Sequence, residues 1–433
     1  MIIAKRLKGK AIAAWLGPTG DAARRAARNV RDQLKKEPRR LDLYFDIADP
    51  WSYLLAQAAT RLVEAYAVDI AVHVVTPPAS DVDPQPTLRA KHAVRDAQLL
   101  AEFWDLDFPG KKEADPGALR EVGSALIRER PGKDQLRAAV ELSQAMWAGD
   151  RKQLAQLLGT WGTESTNAIA PALNATYAEL RKAGHYQGAM IRYAGEWYWG
   201  IDRLPYLEAQ LAQETGRAIA GVVSPRPESE RGALALSQKP LTCEMWFSFR
   251  SPYSYLALEQ IESVLGDVPL QLRPVLPMVM RGLEVPTVKQ LYIVRDAKRE
   301  ADRLGIEFGV LCDPVGPGTE NCIALAYWAE QRGKQLAFAK SAMRGIWAEA
   351  RDMTEYVDLR YVVERAELPW EEAKAALDDA KARKWAQANA ADLAVIGLWG
   401  VPSLRCGDFV AWGQDRLPLL ADRLRRHRLA NGS

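Results

Sequence analysis

Met245-Trp246-Phe247-Ser248-Phe249-Arg250-Ser251-Pro252-Tyr253-Ser254-Tyr255-Leu256 reads as a strand that runs into a helix. The apolar run stops at Phe249, and Ser251 followed by Pro252 is a favoured pairing at a helix cap and first turn. An altered copy lies 202 positions earlier, where Tyr44-Phe45-Asp46-Ile47-Ala48 leads into Asp49-Pro50-Trp51-Ser52-Tyr53-Leu54. Asp49 stands where the second copy has Ser251.

The repetition continues along the chain. Val294-Arg295-Asp296-Ala297 repeats Val94-Arg95-Asp96-Ala97, and Ile346-Trp347-Ala348 echoes Met146-Trp147-Ala148. Trp412-Gly413-Gln414-Asp415-Arg416-Leu417-Pro418 answers Trp199-Gly200-Ile201-Asp202-Arg203-Leu204-Pro205. Landmarks in one order, about 200 residues apart, are too widely spaced for a solenoid and predict two tandem domains.

The length of 433 residues agrees with two domains, each able to bury its own core. A chain 48% hydrophobic and 26% charged is globular, and no run is long enough for a membrane-spanning helix. Residues 1–40 carry twelve Lys/Arg against three acidic residues, so that segment is +9 and the rest −6. Apolar residues interleave with these charges at helical spacing. The segment therefore fits either a helix on an anionic membrane surface or a solvated helix packed on the first domain. No basic patch elsewhere points to nucleic acid.

All four cysteines, Cys243, Cys312, Cys322 and Cys406, lie in the second half, and none forms a C-x-x-C pair. They are expected to be free thiols in a reducing compartment, so the protein is expected to be cytoplasmic. Of the four histidines only His427 falls in the second half, which argues against a metal centre or a His-activated nucleophile there.

The expected organisation is a basic segment over 1–40, a degenerate domain over 41–214, a flexible linker over 215–239 and a second domain over 240–433. In the second domain, strands are predicted at 241–249 and 268–273, and helices at 289–304, 321–332, 335–348 and 370–390. A hairpin at 403–412 and a helix at 415–426 follow. Strand, helix, strand, helical block, hairpin and helix make an α/β reading. That order is the one found in a thioredoxin-like fold with a helical insertion, with one small sheet per domain.

Phe249-Arg250-Ser251-Pro252-Tyr253-Ser254-Tyr255-Leu256, Gly400-Val401-Pro402-Ser403 and Trp412-Gly413-Gln414-Asp415-Arg416-Leu417 together resemble the 2-hydroxychromene-2-carboxylate isomerases. These are DsbA-like thioredoxin folds related to kappa-class glutathione transferases. The resemblance covers about residues 241–426, and the first domain more weakly. It implies glutathione as cofactor and a small aromatic or α,β-unsaturated substrate. Ser251 would hold the glutathione thiolate, the Val401-Pro402 turn its cysteinyl backbone, and Gln414 and Asp415 its γ-glutamyl end. Asp415 could also cap the last helix. A thiolate beside a strand-to-helix turn gains from the hydroxyl and the positive helix end.

The sequence departs from that pattern at Arg281-Gly282-Leu283-Glu284-Val285-Pro286, where related enzymes carry an Asn in a G-N-x-P-type loop. In the first domain Gly188-Ala189 replaces Val401-Pro402, and a carboxylate at Asp49 would repel a thiolate, so that copy is expected to be catalytically silent. Related isomerases are homodimers of one such domain. The resemblance therefore implies a monomeric chain whose two copies pair with each other. A kappa-type glutathione transferase or peroxidase, a DsbA-family oxidoreductase and a non-catalytic binding or scaffold protein are the alternatives.

Overall fold

Alternation of apolar residues places Leu41, Leu43 and Phe45 in strand β1 (Arg40–Asp46), and all three are fully buried. The computed structural model of the chain describes residues 40–227 and 241–431, together with 14–17, 20, 231 and 236. It divides into two compact units, Ala26–Gly232 and Ala233–Ser433 with Met1–Arg25, here the N-terminal and C-terminal units.

In the N-terminal unit β1 leads through helix α1 (Pro50–Tyr66) to the parallel strand β2 (Asp69–Val75). Five helices follow, α2 (Pro86–Trp104), α3 (Pro116–Leu126), α4 (Gly132–Ala148), α5 (Arg151–Trp161) and α6 (Ile169–Ala183). The hairpin β3 (Met190–Tyr193) and β4 (Glu196–Trp199) then completes a sheet of order β2-β1-β3-β4, and α7 (Leu204–Thr215) follows.

The C-terminal unit repeats this plan. β5 (Cys243–Phe247) leads through α8 (Pro252–Leu265) to the parallel strand β6 (Leu270–Pro274). Between β6 and the hairpin lie α9 (Thr287–Leu304), α10 (Pro317–Glu330), α11 (Gln335–Ala348), α12 (Tyr356–Arg365), α13 (Trp370–Ala375) and α14 (Ala380–Val395). β7 (Ser403–Cys406) and β8 (Phe409–Trp412) give the order β6-β5-β7-β8, and α15 (Leu417–Asn431) follows.

All five residues of β5 are buried, as befits a central strand covered on both faces. One face carries a cluster of Trp246, Val275, Leu393 and Leu398, which brings α14 onto the sheet. On the other side α8 buries Tyr255, Leu258 and Ile261 and packs against α11 and α15. Burial of each such side chain contributes roughly 1.5–3 kcal/mol.

The structure modifies several sequence expectations. The helix predicted over 370–390 is broken: Asp379 accepts a hydrogen bond from Lys381 N at 2.8 Å and starts α14 afresh. Helix α12 was not foreseen, because its exposed Val357 and Tyr361 blur the helical period.

Residues 216–226, expected to be flexible linker, are fastened along the N-terminal unit. Ala220 N donates to Tyr66 Oη at 2.9 Å, Val222 N to Glu208 Oε1 at 3.1 Å and Arg226 N to the Phe103 carbonyl at 2.8 Å. Proline and polar content signals a break in regular structure, but it does not register bonds supplied by other elements.

The free-thiol expectation is corrected for two cysteines. Cys243 and Cys406 face each other directly across β5 and β7, with Cα atoms 4.3 Å apart, and form a disulfide. Cys312 and Cys322 remain buried thiols. The pairing was invisible in the sequence because strand register sets it over a separation of 163 residues.

The basic 1–40 segment lies almost wholly outside the described residues, and with it the proposed membrane contact. Among the described residues no helix is long and apolar enough to cross a membrane, and no cluster of potential metal ligands occurs.

Candidate active site around Ser251

Ser251 is the N-cap of α8 in extended conformation, φ −101° and ψ 113°, and its Oγ accepts from Ser254 N at 3.2 Å. Pro252, which lacks an amide hydrogen, occupies the first turn at no cost in hydrogen bonding. The Ser251 hydroxyl in turn donates to the Val401 carbonyl at 3.4 Å. Val401 and Pro402 are joined by a cis peptide bond immediately before β7. The structure thus brings together Ser251, Val401 and Pro402, which are 150 residues apart in sequence.

Tertiary contacts hold this arrangement. Ser248 N donates to the buried Ser254 Oγ at 3.3 Å, and Gly413 N donates to the Pro402 carbonyl at 2.9 Å. Tyr253 Oη donates to the buried Asp296 Oδ2 at 2.7 Å, tying the first turn of α8 to α9. Gly400 is required by close approach, since a Cβ there would lie 2.6 Å from Trp412 Nε1. Arg250 points away into a two-pronged ion pair with Asp313, at 2.8 and 2.9 Å.

Gln414 and Asp415 sit differently from the expectation that they open the last helix. They belong to a 3₁₀ turn, Gln414–Arg416, that precedes α15 and whose N-cap is Gly413. Gln414 is buried and donates to Glu300 Oε2 at 3.1 Å and to Asp415. Sequence pattern could not separate this turn from the helix, because both place residues at similar spacing.

The same backbone recurs in the N-terminal unit with different side chains. Asp49 caps α1 with φ −101° and ψ 112°. Asp46 N donates to Ser52 Oγ at 3.1 Å, Trp51 Nε1 to Asp96 Oδ2 at 2.8 Å and Gly200 N to the Ala189 carbonyl at 2.9 Å. Each bond is the counterpart of one named above.

In place of the proline, Ala189 keeps its amide, which donates to Ser52 Oγ at 2.9 Å. Gly188 lies so close to β1 that a Cβ would stand 2.6 Å from Asp46 Cβ. Asp46 and Asp49 are both buried, with Arg89 guanidinium nitrogens 3.9 Å from each and bonded to Asp83 at 2.8 Å. Burial, then the Asp49 charge, pushes the Asp46 carboxyl up to about 7, and burial also raises Asp49. The sequence flagged Asp49 but missed Asp46 and Arg89, whose proximity depends on how α2 folds back.

The family description DSBA-like thioredoxin domain matches residues 242–425. Those residues form a DsbA-like thioredoxin domain. Similar solved structures include a 2-hydroxychromene-2-carboxylate isomerase, at 22% identity and TM-score 0.38 over 44% of this chain and 99% of that one. The cytosolic disulfide reductase DsbM of Pseudomonas aeruginosa is similar at 16% identity and TM-score 0.34, over 44% and 97%. A thioredoxin-like oxidoreductase of Silicibacter pomeroyi DSS-3 is similar at 18% and 0.28, over 45% and 91%. No curated protein matches the chain in sequence.

Proposed function

We propose that the C-terminal unit is a glutathione-dependent isomerase acting on a small aromatic or α,β-unsaturated compound. The observation that carries this reading is the Ser251 hydroxyl, capping α8 and facing the carbonyl that precedes cis-Pro402. There the helix end and a hydroxyl donor favour a thiolate. The domain has no cysteine at that position, so the thiol would be the cofactor's.

In the proposed reaction the thiolate sulfur adds to the electron-poor carbon of a conjugated double bond, and the electron pair moves onto the carbonyl oxygen. The former double bond rotates as a single bond. The pair then returns, the carbon–sulfur bond breaks and the other isomer leaves with the thiolate regenerated. No oxidant or reductant is consumed. Ser251 would hold the sulfur, Val401 and Pro402 the cysteinyl backbone and Asp415 the γ-glutamyl end, with Gln414 acting indirectly from its buried position.

The N-terminal unit, on this reading, is a tandem copy that has lost the chemistry. The matching N-cap dihedrals and counterpart hydrogen bonds support common descent, and Asp49 puts a carboxyl where the other copy has the Ser251 hydroxyl. Calorimetric titration of the full chain with glutathione tests both statements. One site per chain is expected; two equal sites would defeat the silent-copy reading, and no binding would defeat the glutathione reading.

A further inference from the structure

Leu16 precedes the N-terminal unit in sequence, yet it belongs with the C-terminal unit. Its neighbours Ala14 and Trp15 are exposed, whereas Leu16 itself is only 2% exposed. Leu16 Cδ1 stands 3.9 Å from where a Gly309 Cβ would be, and Lys298 Cε of α9 lies 3.8 Å from the same point. Gly309 has φ +120°, a conformation that side chains rarely adopt, so its flank is left bare. Leu16 and the aliphatic stem of Lys298 cover that flank.

Both elements that meet at this point lead to the Ser251 turn. From the loop, Gly309 N donates to the Trp347 carbonyl at 2.9 Å, and the Phe308 and Trp347 rings stack 5.7 Å apart. Trp347 Nε1 donates to the Phe249 carbonyl at 3.2 Å, just before Ser251, and Tyr255 Oη donates to the Glu307 carbonyl at 3.0 Å. From α9, Asp296 accepts the bond from Tyr253 Oη, just after Ser251. The turn is therefore held on either side of its cap residue by the loop and the helix that meet at Leu16.

The N-terminal unit lacks the bare glycine. Pro109 stands at the position of Gly309, as Phe108 and Trp147 stand at those of Phe308 and Trp347. There the two rings are tilted by 57°, against 9° in the C-terminal unit, and the buried Trp147 Nε1 has no hydrogen-bond partner. The tryptophan-to-turn bond is thus made in the copy that has the glycine and not in the copy that has proline. An apolar side chain seated on a loop restrains it, because its removal forfeits burial and dispersion contacts together.

We propose that Leu16 is a positioning residue for the Ser251 turn: seated on Gly309, it steadies the loop and the helix that fix Phe249 and Tyr253 on either side of the cap. Sequence ahead of the N-terminal unit thereby serves the C-terminal one. This rests on the proposed function only in taking the Ser251 turn as the working site.

The test is hydrogen exchange on the full chain without ligand, comparing residues 249–256 and 305–312 with residues 40–46 of the N-terminal unit. Leu16→Ala should speed exchange about tenfold in the first two stretches and leave the third unchanged. Leu16→Met, of similar volume, should restore most of the protection. Faster exchange confined to 305–312 would make Leu16 a mere surface cover and overturn the proposal. Wild-type exchange throughout, or an equal loss at 40–46, overturns it as well. If Leu16→Ala does not fold, Leu16→Val decides: a smaller loss in the same two stretches supports the proposal, and any other pattern overturns it. A separate glutathione titration distinguishes the two readings, since exchange that depends on Leu16 in a chain that binds no glutathione sinks the thiol reading alone.

Discussion

The two strand-to-helix turns, Asp46–Asp49 and Ser248–Ser251, share their backbone and differ in charge. Their caps agree to within a degree in φ and ψ, and each is held by the same three tertiary bonds. In one turn Ser251 faces a cis-proline turn; in the other two aspartates flank a half-buried arginine and an alanine replaces the proline. The comparison teaches that the fold fixes where such a turn lies and what backbone it presents. Two side chains then decide which groups it offers, a hydroxyl at Ser251 and a carboxyl at Asp49.

The widest expected separation between the units comes from reduction, since only the C-terminal unit contains cysteine. Opening a loop closed over 163 residues releases chain entropy worth up to about 5 kcal/mol. Cys243→Ala combined with Cys406→Ala should therefore lower the urea midpoint of the C-terminal unit and leave that of the N-terminal unit alone. Thiol titration of the denatured, unreduced wild type should count two groups, Cys312 and Cys322; a count of four would remove the bridge from the comparison.

The acid pair should give the next effect. Asp46 moves from 3.8 to about 7 on folding. A carboxyl raised in this way takes up a proton as the chain folds. Its stabilising contribution is full below about pH 4 and is lost as pH rises through about 7, a difference on the order of a few kcal/mol. Asp46→Asn should flatten this dependence and slow hydrogen exchange of β1 amides at pH 8, with little change at pH 4. Exchange equally pH-dependent in the variant would assign the effect to other groups.

Ligand binding should divide the two turns more modestly. A hydrogen bond to a charged sulfur contributes about 1.5–3 kcal/mol, so Ser251→Ala should weaken glutathione roughly ten- to hundredfold. Asp49→Ala should leave the affinity unchanged. Comparable losses in both variants would mean that the turns are not functionally distinct.

The smallest contrast is an expected equality. Asp96→Ala and Asp296→Ala each remove the buried acceptor of Trp51 or Tyr253, and each should cost about 1–3 kcal/mol in its own unit. A cost confined to one unit would show that the repeated Val-Arg-Asp-Ala segment has been put to different uses.

Local chemistry made much of the C-terminal unit legible. The strand at Cys243–Phe247, the cap at Ser251, the helix at Gln335–Ala348 and the hairpin through Trp412 follow from apolar period, capping residues and turn residues. The less regular elements were obscured. Helix α12 exposes apolar residues, α13 and α14 are separated by a cap within one continuous period, and Gln414 turns inward from a 3₁₀ turn.

The sequence by itself determined which residues could act: a serine before a proline in one copy, an aspartate before a proline in the other, and a Val-Pro turn in only one. Local preferences act over a few residues and are written directly in residue type. Tertiary structure alone decided the contacts: Ser251 against Val401, Cys243 against Cys406, and Arg89 between Asp46 and Asp49. These pairings depend on strand register and on where helices return to the sheet. Both are set by burying the whole apolar surface at once, so no short stretch of sequence specifies them.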